Sequence, residues 1–407
     1  MIGNNHKITN MYTEVYEGHE FVSFISLIRN SSIKNLTVEG TIILDGHDDN
    51  GNDTAGSGII GVSHGRCKII NCHNKVNVTK RTSGREVAGV LGAVEGDGDI
   101  KIEKSSNTGT IEGANAAGGV VGTVYGKVTI NECCNQGELG SFNTSYVAGI
   151  VARSNTQNNI SSAKSVVIKN SYNSGNIKTK RRTGGILAFC SSGTLTINNS
   201  YNTGEIKVEN ADATSYLGGI VGRVQQPTEK CIIANSYNIS NINSVKQKKQ
   251  IVVGGVLGEN FCNDTTMINC YNTGNMNADY ASGLIGLTSG TATVNSFEKI
   301  INSYNTGNCT GRIYSSGITR LHGNYSNADV KNVYYLKFDN LVGVQNAQTD
   351  FSTALSEEYM KSEDFQKELN SNIENIDIDI SLNNWKYSNE KYPTFWLKIK
   401  INTCQIW

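Results

Sequence analysis

The residues best suited to chemistry in this chain are its clustered charges. Three loops are basic: Lys80, Arg81 and Arg85; Lys178, Lys180, Arg181 and Arg182; Lys246, Lys248 and Lys249. If they leave a common scaffold at one corner, they align into an edge that would hold a polyanion such as an acidic glycan, or that would simply keep neighbouring molecules apart. Glu209 and Asp212 interrupt that edge. One acidic run, Asp45, Asp48, Asp49 and Asp53, offers oxygens to a calcium ion but lacks the spacing of an EF-hand loop, so a solvated loop is the expectation.

Other reactive constellations are missing from the sequence. The six histidines (His6, His19, His47, His64, His73, His322) never form the His-Glu-x-x-His pattern of a zinc peptidase. No Walker loop occurs, and the Gly-x-Ser-x-Gly match at Gly61 to Gly65 and the Gly-x-Gly-x-x-Gly match at Gly56 to Gly61 fall within the strand repeats rather than at the strand-to-helix turn that an elbow or a dinucleotide site requires. Ten cysteines fall at irregular spacing, without CxxC pairs. Lys plus Arg equals Asp plus Glu at 36 each, so no global field draws in nucleic acid or membrane. No apolar run of about 18 residues exists to span a bilayer. No catalytic residue, metal ligand or cofactor site is assigned.

The elements that position these groups come from a repeat. The stretch Gly184 to Glu205 returns about nine times, with a glycine followed by two aliphatics at Gly58, Gly89, Gly119, Gly149, Gly185, Gly219, Gly255 and Gly283, and by isoleucine and threonine at Gly317. The intervals run from 28 to 36 residues, which places insertions in loops outside the scaffold. Aligned repeats produce columns. A tiny residue follows three positions after eight of the nine lead glycines, as at Gly61, Ala188 and Gly258. An apolar column runs through Ile69, Ile102, Ile130, Ile168, Ile197, Ile233, Met267, Ile300 and Val330. Five residues on stands an asparagine (Asn74, Asn107, Asn135, Asn173, Asn202, Asn238, Asn272, Asn305), followed two residues later by glycine in most repeats. A second apolar column begins at Val78 and Ile111.

The economical reading is an all-β chain, a parallel β-helix (β-solenoid) of about nine to ten coils, with like residues stacked about 4.8 Å apart. Units of about 32 residues bury too little surface to fold alone. Stacked asparagines would bond one another and, with the following glycine, turn the chain through a left-handed backbone. Cys72, Cys133 and Cys270 share a column with Ser105, Ser171 and Ser200, which predicts small, buried free thiols. His73 sits in a column of tyrosines and reads as a repeat variant rather than a base. Residues 1–57 look like worn lead-in coils that open as though an upstream portion preceded them. Residues 58–340 hold the repeats. Residues 341–407, with a helix over 356–369 and all three tryptophans, read as a small α+β cap over the open end.

The unit Gly254-Gly-Val-Leu-Gly258 with Asn269-Cys-Tyr-Asn-Thr-Gly274 resembles the GLUG motif of bacterial secreted and cell-surface proteins, and Gly283-Leu-Ile-Gly286 matches its name-giving residues. The resemblance covers about 58–340. It implies an extracellular or surface β-helical scaffold, adhesin-like or stalk-forming, with host or cell-wall glycans or surface proteins as partners. A secretory signal is absent from the N-terminal residues. The alternative is a carbohydrate-active β-helical enzyme, a polysaccharide lyase or hydrolase, which needs carboxylates or basic residues converging across adjacent coils. The outward positions Thr194, Thr196 and Asn198 favour the scaffold. A basic loop edge that binds polyanionic glycan is the third expectation.

Overall fold

A computed structural model describes residues 1–16, 21–45, 55–81, 84, 86–113, 115–155, 164–245, 248–291, 296–322, 326–339, 341–346, 350, 352–374, 376 and 378–395. It is a parallel β-solenoid of about 9 turns. One coil runs through Ser165–Lys169, Tyr172–Asn173, Ile177–Thr179, Arg182–Gly184 and Leu187–Cys190, and each of these strands pairs in parallel with its equivalents one coil before and after.

Stacking follows the columns of the sequence. Ile69, Ile102, Ile130, Ile168, Ile197, Ile233, Met267, Ile300 and Val330 are successive register partners in one buried row. Val78, Ile111, Leu139, Ile177, Ile206, Ile242, Met276 and Cys309 form the second row. Each fully buried aliphatic contributes about 1.5–3 kcal/mol, so such rows hold the coils together. Both aliphatics of the Gly-aliphatic-aliphatic unit face the core: Ile186 at the bend and Leu187 on the strand are each fully buried.

The asparagine column is a hydrogen-bonded ladder inside the wall. Asn173 Nδ2 donates to Asn202 Oδ1 at 2.7 Å and to the Gly175 carbonyl at 2.8 Å, and the pattern repeats from Asn74 to Asn305. The left-handed backbone lies elsewhere than expected. Positive φ occurs three residues earlier, at Asn71, Asn170, Asn199, Asn235, Asn269 and Asn302, and not at the ladder asparagines or the glycines that follow them. Those glycines are needed for close approach instead. A Cβ at Gly204 would collide with the Gly175 carbonyl oxygen of the neighbouring coil.

Parallel strand pairing reaches past residues 58–340 at both ends. Ile2–Val15 pairs with Ser32–Leu44, which in turn pairs with Arg66–Lys80, so the chain is already coiled before residue 45. At the other end, Val342–Gln345 and Thr353–Leu355 still pair with the solenoid. The expected helix is two, Glu357–Met360 and Glu363–Ile373, capped by Ser356 and Ser362. Their apolar face lies on the side of the last coils. Met360, Phe365, Leu369, Trp385 and Phe395 pack with Tyr271, Tyr304 and Tyr334. Asn235, Asn269 and Asn302, stacked at the left-handed bends, donate to the carbonyls of Ser381, Asn383 and Leu369 at 2.9–3.0 Å. The cap therefore covers a lateral tyrosine column.

Candidate polar groove

The lead glycines shape a surface feature that the columns alone do not reveal. In each coil the strand before the Gly-aliphatic-aliphatic unit and the strand after it bend toward one another on the outside of the solenoid. The approach is so close that a Cβ at Gly218 would collide with the Val221 carbonyl oxygen of its own coil, and a Cβ at Gly222 would lie 2.6 Å from the Thr183 carbonyl oxygen of the coil before. This accounts for the column of tiny residues at Gly61, Gly92, Gly122, Ala152, Ala188, Gly222, Gly258 and Gly286. Side chains flanking the bend converge across it. They stand three residues before and four residues after the lead glycine.

Successive coils fill these two positions with alternating aromatic and cationic residues. Tyr146 faces Arg153, Arg182 faces Phe189, and Tyr216 faces Arg223. The Arg182 guanidinium carbon lies 5.3 Å from the Tyr146 ring centroid and 5.0 Å from that of Phe189. Arg223 lies 4.8 Å from the Tyr216 centroid, and Arg320, which stands three rather than four residues after Gly317 where the register with the preceding coil shifts, lies 4.4 Å from the Tyr314 centroid and 5.0 Å from that of Tyr280. Contacts of this kind are worth about 0.5–2 kcal/mol each, more as they are desolvated.

The charges divide into paired and unpaired. Arg153 Nη2 reaches Glu86 Oε2 at 3.2 Å, with the Glu86 side chain fully buried. Arg223 is ion-paired with Glu259, which also accepts from Ser289 Oγ at 2.6 Å. Burial, then the Glu259 charge, pushes the Tyr216 hydroxyl up to about 12. Arg182 sits between the two pairs and donates from Nη1 to the Tyr146 hydroxyl at 2.7 Å. Among the described residues no carboxylate pairs with it, and its Nε is buried without a partner. Burial, then Arg223 and Arg181, holds its guanidinium below the ordinary value. Arg320, only 8% exposed, likewise has a buried Nε without a partner.

The strands that precede the three basic loops stack in one row, and most of the described charges that follow them are buried or paired. Lys80 is buried. Arg81 pairs with Asp45 at 3.0 Å and Glu14 at 3.9 Å. Lys178 pairs with Glu138, and Lys180 and Arg181 share Asp212. Lys248 and Lys249 are exposed, whereas Arg85 and Lys246 lie outside the described residues. Among the described residues of the three loops, Arg182 enters the groove. Of the acidic run, Asp45 binds Arg81 and Asp48, Asp49 and Asp53 lie outside the described residues. No group of three His, Cys, Asp or Glu among the described residues is placed to hold a metal.

Two smaller features were named in the sequence. His73 bonds Ser106 Oγ at 2.8 Å and Asn71 Oδ1 at 3.0 Å, and burial lowers its pKa, so it serves the wall as a neutral ring. Among the described residues eight cysteines are free and buried, and burial pushes the thiols of Cys133, Cys270 and Cys309 up to about 12. Cys134 departs from that reading because it is disulfide-bonded.

Sequence reasoning missed the groove because it sampled outward positions on the second strand. The signal was present: the positions at −3 and +4 from the lead glycine read Tyr/Arg, Arg/Phe, Tyr/Arg in three consecutive repeats. No family model, curated protein or solved structure matches the chain.

Proposed function

We propose that this chain is a non-catalytic, ligand-displaying β-solenoid of an exported or cell-surface protein, adhesin-like in role and of the GLUG-repeat type. The observation that supports it is the separation of the groove carboxylates. Glu86 and the coil of Glu259 are five register steps apart, through Ala116, Tyr146, Arg182, Tyr216 and Val252. At about 4.8 Å per coil that is roughly 24 Å. Hydrolysis of a glycosidic bond by paired carboxylates needs them about 5–9.5 Å apart. Each is also committed to an arginine. A repeating wall with shielded thiols and a recognition groove suits display.

The test has two arms. Incubation with a panel of neutral and acidic polysaccharides is expected to release no oligosaccharide products, and antibody to the chain is expected to label intact cells that make it. Product formation abolished by Glu259→Gln would overturn the non-catalytic reading in favour of a carbohydrate-active enzyme. Labelling only after lysis would overturn surface display.

A further inference from the structure

We infer that the groove running from Arg153 to Arg320 binds an extended, carboxylate-bearing saccharide, with the unpaired Arg182 as its central anchor. This deepens the display reading above and rests on it.

The charge arrangement selects the ligand. Arg153 and Arg223 are neutralised by Glu86 and Glu259, and Arg182 between them is left with a desolvated positive charge and no counterion among the described residues. Such a charge is costly to bury alone, and an incoming anion removes the cost. A planar guanidinium presents parallel donors that match a carboxylate. Arg320 repeats the arrangement four register steps further along, through Tyr216, Val252, Tyr280 and Tyr314. That is roughly 19 Å at the coil spacing.

Sparse anionic charge is what this spacing fits. Unpaired guanidiniums roughly 19 Å apart, with a buried Arg223–Glu259 pair between them, suit a ligand carrying a carboxylate only at intervals. A nucleic acid, with a charge at every phosphate, would meet Glu259 and Glu86 unfavourably, and the chain has no net positive charge to offset it. The groove is partly aromatic: Tyr146, Tyr216, Tyr280 and Tyr314 stand in one row, interrupted by Arg182 and Val252, and Phe189 stands in the row facing them. Rings of pyranose size, apolar on their faces and hydroxylated at their rims, match such a groove better than a flexible acidic peptide does.

The experiment measures binding of an oligogalacturonate by calorimetry, with the reduced neutral oligosaccharide, poly-glutamate and heparin as comparison probes. The proposal expects saturable oligogalacturonate binding, at least tenfold weaker for Arg182→Gln and for Arg320→Gln, and unchanged for the Lys248→Glu/Lys249→Glu double variant. The neutral oligosaccharide and poly-glutamate are expected to bind at least tenfold more weakly. Thermal unfolding separates recognition from architecture: Arg182→Gln is expected to melt at or above the parent temperature, because it removes an uncompensated charge. Equal oligogalacturonate binding by parent and Arg182→Gln would overturn the proposal, as would equal affinity for poly-glutamate. So would tighter heparin binding lost in the Lys248→Glu/Lys249→Glu variant. A failure here without polysaccharide turnover, and with surface labelling intact, would leave the display reading standing.

Discussion

Glu298 carries a cost that the solenoid wall cannot relieve. Its carboxyl is fully buried beside Thr288 and Thr319, and burial pushes it up to about 7 from an ordinary value near 4.5. A raised carboxyl pKa favours the protonated group in the fold, so its penalty develops as pH climbs from the unfolded value and is complete above about 7. Glu298→Gln is therefore expected to stabilise the protein at pH 8, by about 3 kcal/mol, and to change little at pH 4.5. Denaturant midpoints at the two pH values check this. An equal effect at both would show that the carboxyl does not titrate in that window. The thiols follow from burial in the same way. The eight free cysteines are expected to ignore an aromatic disulfide reagent in the folded state and to react once the chain is unfolded. Rapid labelling of folded protein would place them at the surface.

At the scale of the element, the asparagine ladder is the most demanding part of the wall. Asn202 donates to Asn238 Oδ1 and the Gly204 carbonyl, each at 2.9 Å, and accepts from Asn173 at 2.7 Å. Asn202→Ala leaves buried partners unmatched and is expected to cost on the order of 3 kcal/mol. Asn202→Asp, nearly identical in shape, sets an acceptor against two acceptors and is expected to cost more. Equilibrium unfolding of the pair decides, and an aspartate milder than alanine would mean the ladder bonds are not made. The cap is a second, separable element. Trp385 packs between Tyr271, Tyr304 and Phe395, with ring centroids 4.2–5.8 Å away. Trp385→Ala is expected to cost about 3–5 kcal/mol locally and to open residues 356–395 to protease while the strand signal in circular dichroism persists. These elements were legible to different degrees. The isoleucine and asparagine columns could be read because stacking demands the same residue type in every coil. The left-handed bend at Asn170 could not, since Lys104 and Glu132 occupy the same site and blur the column. Nor could the side-on cap, because a helical stripe states which face is apolar and not which surface receives it.

For the whole molecule, vertical stacking decides everything else, including the groove. Arg182 is an anchor only because coils bring Tyr146, Phe189 and Tyr216 around it from residues far apart in the chain. The groove escaped the sequence reading for a physical reason. Its residues vary from coil to coil because they face outward, where no neighbour enforces identity, and only a known bend shows that positions −3 and +4 converge. The most direct measurement of the stacking is a spin-label distance between exposed Lys101 and Lys299. They are joined by six register steps, through Thr129, Val167, Thr196, Ile232 and Thr266. Labels there are expected to give one narrow distribution centred near 29 Å, and labels at Lys101 and Ile232 one near 19 Å. Distances that fail to grow by about 4.8 Å per coil, or a broad distribution spanning tens of ångströms, would contradict the stack and the groove with it.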